Sequence, residues 1–468
     1  MRYISTRGKA PEIGFAEVVT TGLAPDMGLY VPKDWPRFSE PQLSQLSGKS
    51  YQDIAFSVLQ PFIGDDLSSG ELKGCIERAY ANFGHEAVAP LVQIGSRAWL
   101  LELFHGPTLA FKDVAMRLLS QLMDTINKRT ARRVTIIGAT SGDTGSAAID
   151  AFRGSATVDI FILYPHGRIS EIQRRQMTSV ADSNVYTLAV EGTFDDCQAL
   201  VKAMFADCHF NETLNLAGVN SINWARIIAQ SVYYFTSALA LGAPTRAVSY
   251  CVPTGNFGNI FAGYVAKCMG LPIRDLLVAT NSNNILDRAL QSGEYKIRGV
   301  HHTISPSMDI EISSNFERLL FEYYGRDPEK ILSCMGGLRD HGSFSIDHEV
   351  LCSIRKEFAS HAATEAETRA VIQLMLEKTG LLIDPHTAVG LAAAATLPSD
   401  DATPIITLAT AHPAKFPDAV EDATGARPSL PERLADLLGR PERVVTFSRN
   451  LSDIQKYIAQ NSRIKVSL

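Results

Sequence analysis

The sequence predicts an α/β protein built on parallel sheets, and two observations carry that reading. From about residue 97 onward, short apolar runs rich in β-branched residues fall at 98–104, 134–138, 158–164, 185–190, 247–252, 276–280 and 404–409, with helix-length segments between them. The runs are apolar almost throughout rather than alternating. That is the pattern of strands covered on both faces, which the crossover helices of a parallel sheet impose. Composition agrees with this class, since 468 residues that are 46% hydrophobic and 20% charged can bury substantial cores and lie far from the disordered regime.

Taken in order, residues 1–96 read differently from the rest, with a turn-rich entry at 22–30 followed by mostly helical text, and they are read as an N-terminal domain. Residues 97–232 read as a smaller α/β domain and 233–468 as a larger one. Within the latter, the strand and helix alternation weakens near 292–360, where Gly336, Gly337 and Gly342 interrupt it, so an insertion is expected there.

Several classes of function are excluded. A formal net charge of −6, from 44 Lys+Arg against 50 Asp+Glu, does not suit a protein that coats nucleic acid. No apolar stretch reaches the roughly 18 residues a bilayer span needs, because Thr236 and Ser237 interrupt even the segment 233–243. Residues 1–9 carry charges with no apolar run after them, so a secretory leader is not expected and a cytoplasmic address is. The seven cysteines show no CxxC pair, and no HExxH or paired-histidine cluster occurs, so neither a disulfide framework nor a metal site is expected. A GxSxG elbow is also missing. The expected partner is a small molecule, with no nucleic acid and no membrane, and the chain is read as a monomer or small homo-oligomer.

In parallel sheets, ligands bind beyond the carboxyl ends of the strands. Four segments at such ends can carry chemistry. The first runs from Glu102 through His105, Gly106, Pro107 and Phe111 to Lys112 and Asp113. An amine at a helix start beside an apolar ring has its charged form penalised, and a free amine is what attacks a carbonyl. The same text also suits a snorkelling surface lysine. The second, Thr140, Ser141, Gly142, Asp143, Thr144 and Gly145, opens a helix of small residues and presents N–H groups and hydroxyls to an anion, or serves as an ordinary N-cap. Asp143 is suited to a hydroxyl or an amine rather than to the anion itself. The third, Gly255, Asn256, Phe257, Gly258 and Asn259, has the glycines and side-chain amides of a phosphate loop but lacks the lysine of a Walker A motif and the GxGxxG spacing. The fourth places Thr410 at a strand end, where its hydroxyl can meet a heteroaromatic nitrogen, with His412 and Lys415 following.

A reactive lysine, two anion loops and a strand-end hydroxyl together suit pyridoxal 5′-phosphate. The same segments, together with Gly22 to Asp26, Gly28 to Pro32, Asn220 to Ile227, Ser313 to Arg318, Asp384 to Ala388 and Thr410 to Phe416, closely resemble the threonine synthases, in the branch found in fungi and many Gram-negative bacteria. The resemblance covers nearly the whole chain. It implies a fold type II pyridoxal-phosphate architecture, similar to tryptophan synthase β, with two α/β domains around one cofactor. It further implies that Lys112 is the Schiff-base lysine, that Gly255, Asn256, Phe257, Gly258 and Asn259 cradle the cofactor phosphate, that Thr410 meets the pyridine nitrogen, and that Ser141, Gly142, Asp143 and Thr144 hold the substrate carboxylate.

The reaction implied is O-phospho-L-homoserine plus water giving L-threonine and phosphate by β,γ-replacement, a lyase reaction that ends threonine biosynthesis. Water must be kept out early and admitted late, so domain closure is expected. A third anion site is needed for the substrate phosphate, with Lys415, Arg226 and the Ser314–Asn315 pair as candidates. The alternatives are a threonine or serine dehydratase, and a phosphohomoserine phospho-lyase giving a 2-oxo acid. Two positions invite scrutiny. Met27 stands where the resemblance expects glycine in a turn, and Asp143 stands where more distant relatives carry asparagine.

Overall fold

A computed structural model of the chain describes residues 1–398 and 402–464. Two sheets organise it. The larger has six strands in the order Phe358–Ala362, Ile273–Thr280, Val248–Pro253, Ile405–Ala409, Ala98–Glu102 and Leu91–Gln93. All pair in parallel except the last, an antiparallel edge. The smaller has five parallel strands in the order Val445–Phe447, Val185–Val190, Val158–Pro165, Val134–Ala139 and Leu216–Ala217. Every residue of the central Val158–Pro165 strand is buried, as a strand covered on both faces requires.

The helices follow from equally simple patterns. Lys112–Arg129 repeats apolar residues at helical spacing, Val114, Leu118, Leu122 and then Ile126, and buries that face, while Lys128 and Arg129 lie where the helix dipole is negative. Trp224–Ala240 is apolar nearly all round and accordingly runs through the interior. The helix Gly258–Cys268 approaches it so closely that a Cβ at Gly263 would stand 2.8 Å from a ring carbon of Tyr234.

Three features differ from the divisions drawn from the sequence. The strand Ala98–Glu102, expected in the smaller domain at 97–232, belongs to the six-stranded sheet, where Leu100 pairs with Thr407. The strand Val445–Phe447, expected in the larger domain at 233–468, completes the five-stranded sheet through Thr446 and Ala189. Residues 1–96 have no core of their own. Tyr3, Phe15, Val58 and Phe62 join a continuous cluster with Leu118, Trp224 and Ile228, because single-layer helical text has no second face to bury except against Lys112–Arg129 and Trp224–Ala240. The segment 292–360 forms a small two-stranded sheet, Glu294–Lys296 with Ser343–Ser345, and several helices, then delivers Phe358–Ala362 to the edge of the main sheet. Among the described residues, no helix is long and apolar enough to cross a membrane.

Candidate active site

All four segments singled out in the sequence leave the carboxyl ends of strands, three of them adjacent in the six-stranded sheet and one in the five-stranded sheet. Ala98–Glu102 leads toward Lys112, Val134–Ala139 into the Ser141 loop, Val248–Pro253 into the Gly255 loop, and Ile405–Ala409 into Thr410. The first and last are stitched together beyond the sheet, since Phe111 N donates to Thr410 O at 2.8 Å and His412 N to Leu109 O at 3.0 Å.

Lys112 opens its helix and is 9% exposed. Its Nζ lies 4.9 Å from the centroid of the Phe111 ring and donates to Asp143 Oδ2 at 3.3 Å. Burial lowers the basicity of this amine, and Asp143 only partly restores it, while Lys415 and Arg226 lower it further. The snorkelling alternative is therefore set aside. Next to Lys112, Asp113 accepts from Thr108 N at 2.8 Å and from Thr108 Oγ1 at 2.6 Å, fixing the turn that aims the lysine; burial, with Asp150 nearby, raises its carboxyl to about 6.

Asp143 is the hub. Lys415 Nζ lies 2.8 Å from Asp143 Oδ1, Gln173 Nε2 donates to the same oxygen at 2.9 Å, and Ser307 Oγ donates to Oδ2 at 3.2 Å. Burial alone would raise this carboxyl, but Lys415 and then Lys112 outweigh it and hold it well below the usual range. Asp143 is thus a fixed carboxylate between two lysines. In the same loop, Ser141 is exposed and Thr144 half-buried, while Thr140 Oγ1 accepts from Gly142 N at 3.0 Å and Gly145 N at 2.8 Å. Gly142 adopts φ +138° and lies so near Gln173 that a Cβ would stand 2.3 Å from its Cδ.

The Gly255–Asn259 segment has the shape of a cradle. Phe257 takes φ +61° as N-cap of the helix Gly258–Cys268, with its side chain in the core beside Phe316 at 5.2 Å between ring centroids. Its contribution to a ligand is therefore its backbone. A Cβ at Gly255 would stand 2.9 Å from Ser307 O, so only glycine fits. Asn256 O accepts from Asn315 N at 3.1 Å and from Asn315 Nδ2 at 2.8 Å. Asn259 turns its Oδ1 toward Tyr233 and leaves Nδ2 buried with no partner.

Of the cations named for a third anion, Lys415 is excluded by its contacts. It is fully buried and engaged by Asp143 and by Thr108 O at 2.8 Å. Asn315 is structural as well, since its Oδ1 accepts from Arg318. Arg226 differs. It is 4% exposed on the first turn of Trp224–Ala240, and its guanidinium reaches Val219 O only at a long 3.4 Å. Its Nε has no partner, no carboxylate pairs with it among the described residues, and burial pulls its pKa down to about 10. A buried guanidinium without an anion is costly, and a ligand that supplies one removes the cost.

Thr410 is 5% exposed and directly follows the strand Ile405–Ala409. His412 is structural, with Nδ1 accepting from Ala414 N at 3.1 Å. Sequence reasoning did not assign Gln173 or Ser307 to the site. Nor did it foresee that Asp384 Oδ2 meets His386 Nδ1 at 2.7 Å while His386 Nε2 accepts from Ser307 N at 3.1 Å, holding the residue that contacts Asp143.

These residues fit pyridoxal phosphate. The cradle that a Cβ would fill, the unpaired Asn259 Nδ2, the strand-end hydroxyl of Thr410 and the weakly basic Lys112 answer in turn to a phosphate, a ring nitrogen and an aldehyde. Fold and site together are those of a pyridoxal-phosphate-dependent enzyme of fold type II, and the family model described as "Pyridoxal-phosphate dependent enzyme" matches residues 85–408. Two further models flank it, "Threonine synthase N terminus" over residues 2–80 and "Threonine synthase, C-terminal" over residues 387–458. The threonine synthase of Pseudomonas aeruginosa is 49% identical over 462 residues, 98% of each chain. The crystal structure of pyridoxal-phosphate-bound threonine synthase from Brucella melitensis is 54% identical with a TM-score of 0.98, covering 99% of this chain and 100% of that one. The yeast threonine synthase structure is 42% identical with a TM-score of 0.94, covering 98% of each. The chain belongs to the threonine synthase family, and its cofactor is pyridoxal phosphate.

Proposed function

We propose that this lyase converts O-phospho-L-homoserine and water to L-threonine and phosphate. The observation that carries this reading is Arg226. The Gly255–Asn259 cradle serves the cofactor phosphate, and a separate buried guanidinium without a carboxylate partner calls for a second anion. A serine or threonine dehydratase handles a substrate with no phosphate and has no use for it.

The bound cofactor supplies an aldehyde for amines and a conjugated ring that stores the electrons left when a Cα proton departs. The rest of the work belongs to the chain. Lys112 Nζ, weakly basic through burial, holds the cofactor before substrate arrives and then takes the Cα proton. Asp143 keeps the two lysine charges apart and orients Lys112 Nζ, while Gln173 and Ser307 hold Asp143 in place. Thr410, with a neutral hydroxyl in place of a carboxylate, would meet the cofactor's ring nitrogen without fixing it as protonated. Ser141 and Thr144 hydroxyls and the N–H groups at the start of Asp143–Phe152 bind the substrate carboxylate. Arg226 binds the substrate phosphate and stabilises it as loss of the Cβ proton drives it from Cγ; Cγ then takes up a proton to become the methyl group, and water adds at Cβ.

In the same reading, the bodies built on the two sheets close over the substrate, water is excluded until the phosphate has left, and the protein works in the cytoplasm as a monomer or small homo-oligomer. Lys112→Ala tests the assignment. The variant is expected to lose both the visible absorbance of the bound cofactor and turnover; retention of full activity refutes it.

A further inference from the structure

The stretch Ser313 to Arg318, singled out in the sequence, has no task in the proposed reaction. It forms the turn into the helix Phe316–Tyr323 and the start of that helix. Arg318, on the first helical turn, is 0% exposed, and its guanidinium carbon lies 5.5 Å from the centroid of the Trp224 ring. Its three nitrogens reach three separate segments. Nε donates to Tyr30 O at 3.0 Å, Nη2 to Ile222 O at 2.7 Å, and Nη1 to Asn315 Oδ1. Among the described residues no carboxylate bonds to this guanidinium. The neighbouring Glu317 faces the N-terminal segment instead, where it accepts from Thr6 Oγ1 at 2.6 Å and pairs with Arg7 at 2.9 Å. A buried charge held only by neutral acceptors is a poor source of stability, but a planar fork with fixed donors sets direction.

That direction matters at Asn315, which is also 0% exposed. A guanidinium has donors only, so Asn315 must present Oδ1 to it, and Nδ2 must then face the other way. There Nδ2 donates to Asn256 O at 2.8 Å and to Ser221 O at 3.2 Å. With the amide reversed, N–H would face N–H and Oδ1 would face two carbonyl oxygens. Asn256 belongs to the proposed cofactor-phosphate cradle, whose Gly255 O is held in turn by Ser313 Oγ at 2.7 Å. Ser221 and Ile222 lie just ahead of Arg226, the proposed partner of the substrate phosphate. The same segment is tied to the N-terminal residues a second time, since Asn223 Nδ2 donates to Val19 O at 2.9 Å.

We propose that Arg318 is a positioning residue which, through Asn315, locks the cofactor-phosphate cradle and the Arg226 segment in one register and seats both on the N-terminal segment. The proposal rests on the two anion sites read above. Arg318 acts through Asn315 rather than on a ligand: the spacing between two phosphates bound on different segments is set by the group that spans those segments, so loosening that group weakens both sites together.

The decisive variant is Asn315→Asp. It keeps the acceptor that Arg318 needs, and so keeps the buried pair, but sets a carboxylate oxygen against Asn256 O and Ser221 O where a donor stood. Affinity for pyridoxal phosphate is read by titrating the apoprotein and following the visible absorbance, while KM and kcat for O-phospho-L-homoserine are read on the holoenzyme at saturating cofactor. Cofactor affinity is expected to fall, and KM to rise, by about tenfold or more each, with kcat within about threefold of the unaltered enzyme. Arg318→Lys, which keeps the charge and loses the fork, is expected to shift the same two constants together. Arg7→Gln breaks the ion pair with Glu317 on the same helical turn and controls for a merely structural effect; it is expected to leave both constants as they are even where the thermal midpoint falls. Unchanged constants in Asn315→Asp, a change in only one of them, a loss confined to kcat, or equal losses in Arg7→Gln overturn the proposal. If Gly255→Ala weakens the cofactor and Asn315→Asp does not, the cradle stands and only the role of Arg318 is refuted; if neither weakens it, the cradle reading is refuted as well.

Discussion

Lys112 and Lys415 share one counter-charge, Asp143, and that arrangement explains why an aspartate is tolerated in the loop proposed to hold the substrate carboxylate. It is neutralised twice over, at 3.3 Å and 2.8 Å, before any ligand arrives. Arg226 is the complementary case, a buried cation still lacking its anion. If Arg226 binds the substrate phosphate as proposed, replacing it with glutamine removes one charged hydrogen-bonding partner, an interaction worth about 1.5–3 kcal/mol. Arg226→Gln is therefore expected to raise KM for O-phospho-L-homoserine by about 10- to 100-fold while the absorbance of bound cofactor is unchanged; a changed absorbance with normal KM would assign Arg226 to the cofactor. Met27 carries a different cost. The turn needs φ +65° there, and a methionine with its side chain 59% exposed gains little in return. Relief of left-handed strain of about 1–2 kcal/mol exceeds the extra entropy cost of glycine, so Met27→Gly is expected to stabilise the protein by about 0.5–1 kcal/mol in chemical unfolding; a loss of stability would contradict this. Lys112 and Asp143 were legible because local text, a strand, a turn and a helix start, surrounds them. Gln173 and Ser307 were not, since they reach Asp143 from 30 and 164 residues away along the chain.

The four strand, loop and helix units are where local sequence and tertiary structure agree most closely. Each loop leaves a parallel strand at its carboxyl end, so recognising the strands was enough to locate the candidate site. What local text could not reveal was strand order. Ala98–Glu102 looks like the first strand of the domain that follows it, yet it pairs with Ile405–Ala409, over 300 residues later in the chain, because adjacency in a sheet is decided by packing and not by sequence distance. The same holds for Val445–Phe447. The Gly255 loop offers a direct test of cradle geometry. A methyl group there would stand 2.9 Å from Ser307 O, backbone that cannot swing aside. Gly255→Ala is expected to weaken cofactor affinity by about tenfold or more, measured by titrating the apoprotein, with the far-ultraviolet spectrum retained; undiminished affinity would show that the loop does not hold the phosphate.

One continuous core joins the first 80 residues to both sheet-bearing bodies, so the N-terminal segment stabilises the frame on which the lysine helix rests. The net charge of −6 read from the sequence also acquires a meaning, since on the proposed reading the positive potential for two phosphates is local, made of loop N–H groups, helix starts and one buried arginine. Stability in acid depends on buried groups of this frame. Burial, with Arg433 and His105 nearby, lowers His412 to about 4 from its ordinary 6.5. In the unfolded chain the imidazole protonates first, so its contribution is intact above about pH 6.5 and is lost as pH falls toward 4, by at most about 3 kcal/mol. His412→Asn retains a side-chain acceptor for Ala414 N, and its unfolding free energy is expected to vary less steeply over that pH interval; an unchanged slope would show that His412 does not titrate this way.

The central claim is that phosphate leaves Cγ and water enters at Cβ within this site. Turnover of O-phospho-L-homoserine in heavy-oxygen water, with both products analysed by mass spectrometry, tests it most directly. The account predicts L-threonine labelled in its β-hydroxyl and unlabelled phosphate in equal amount; label in the phosphate, or a 2-oxo acid in place of threonine, would contradict it.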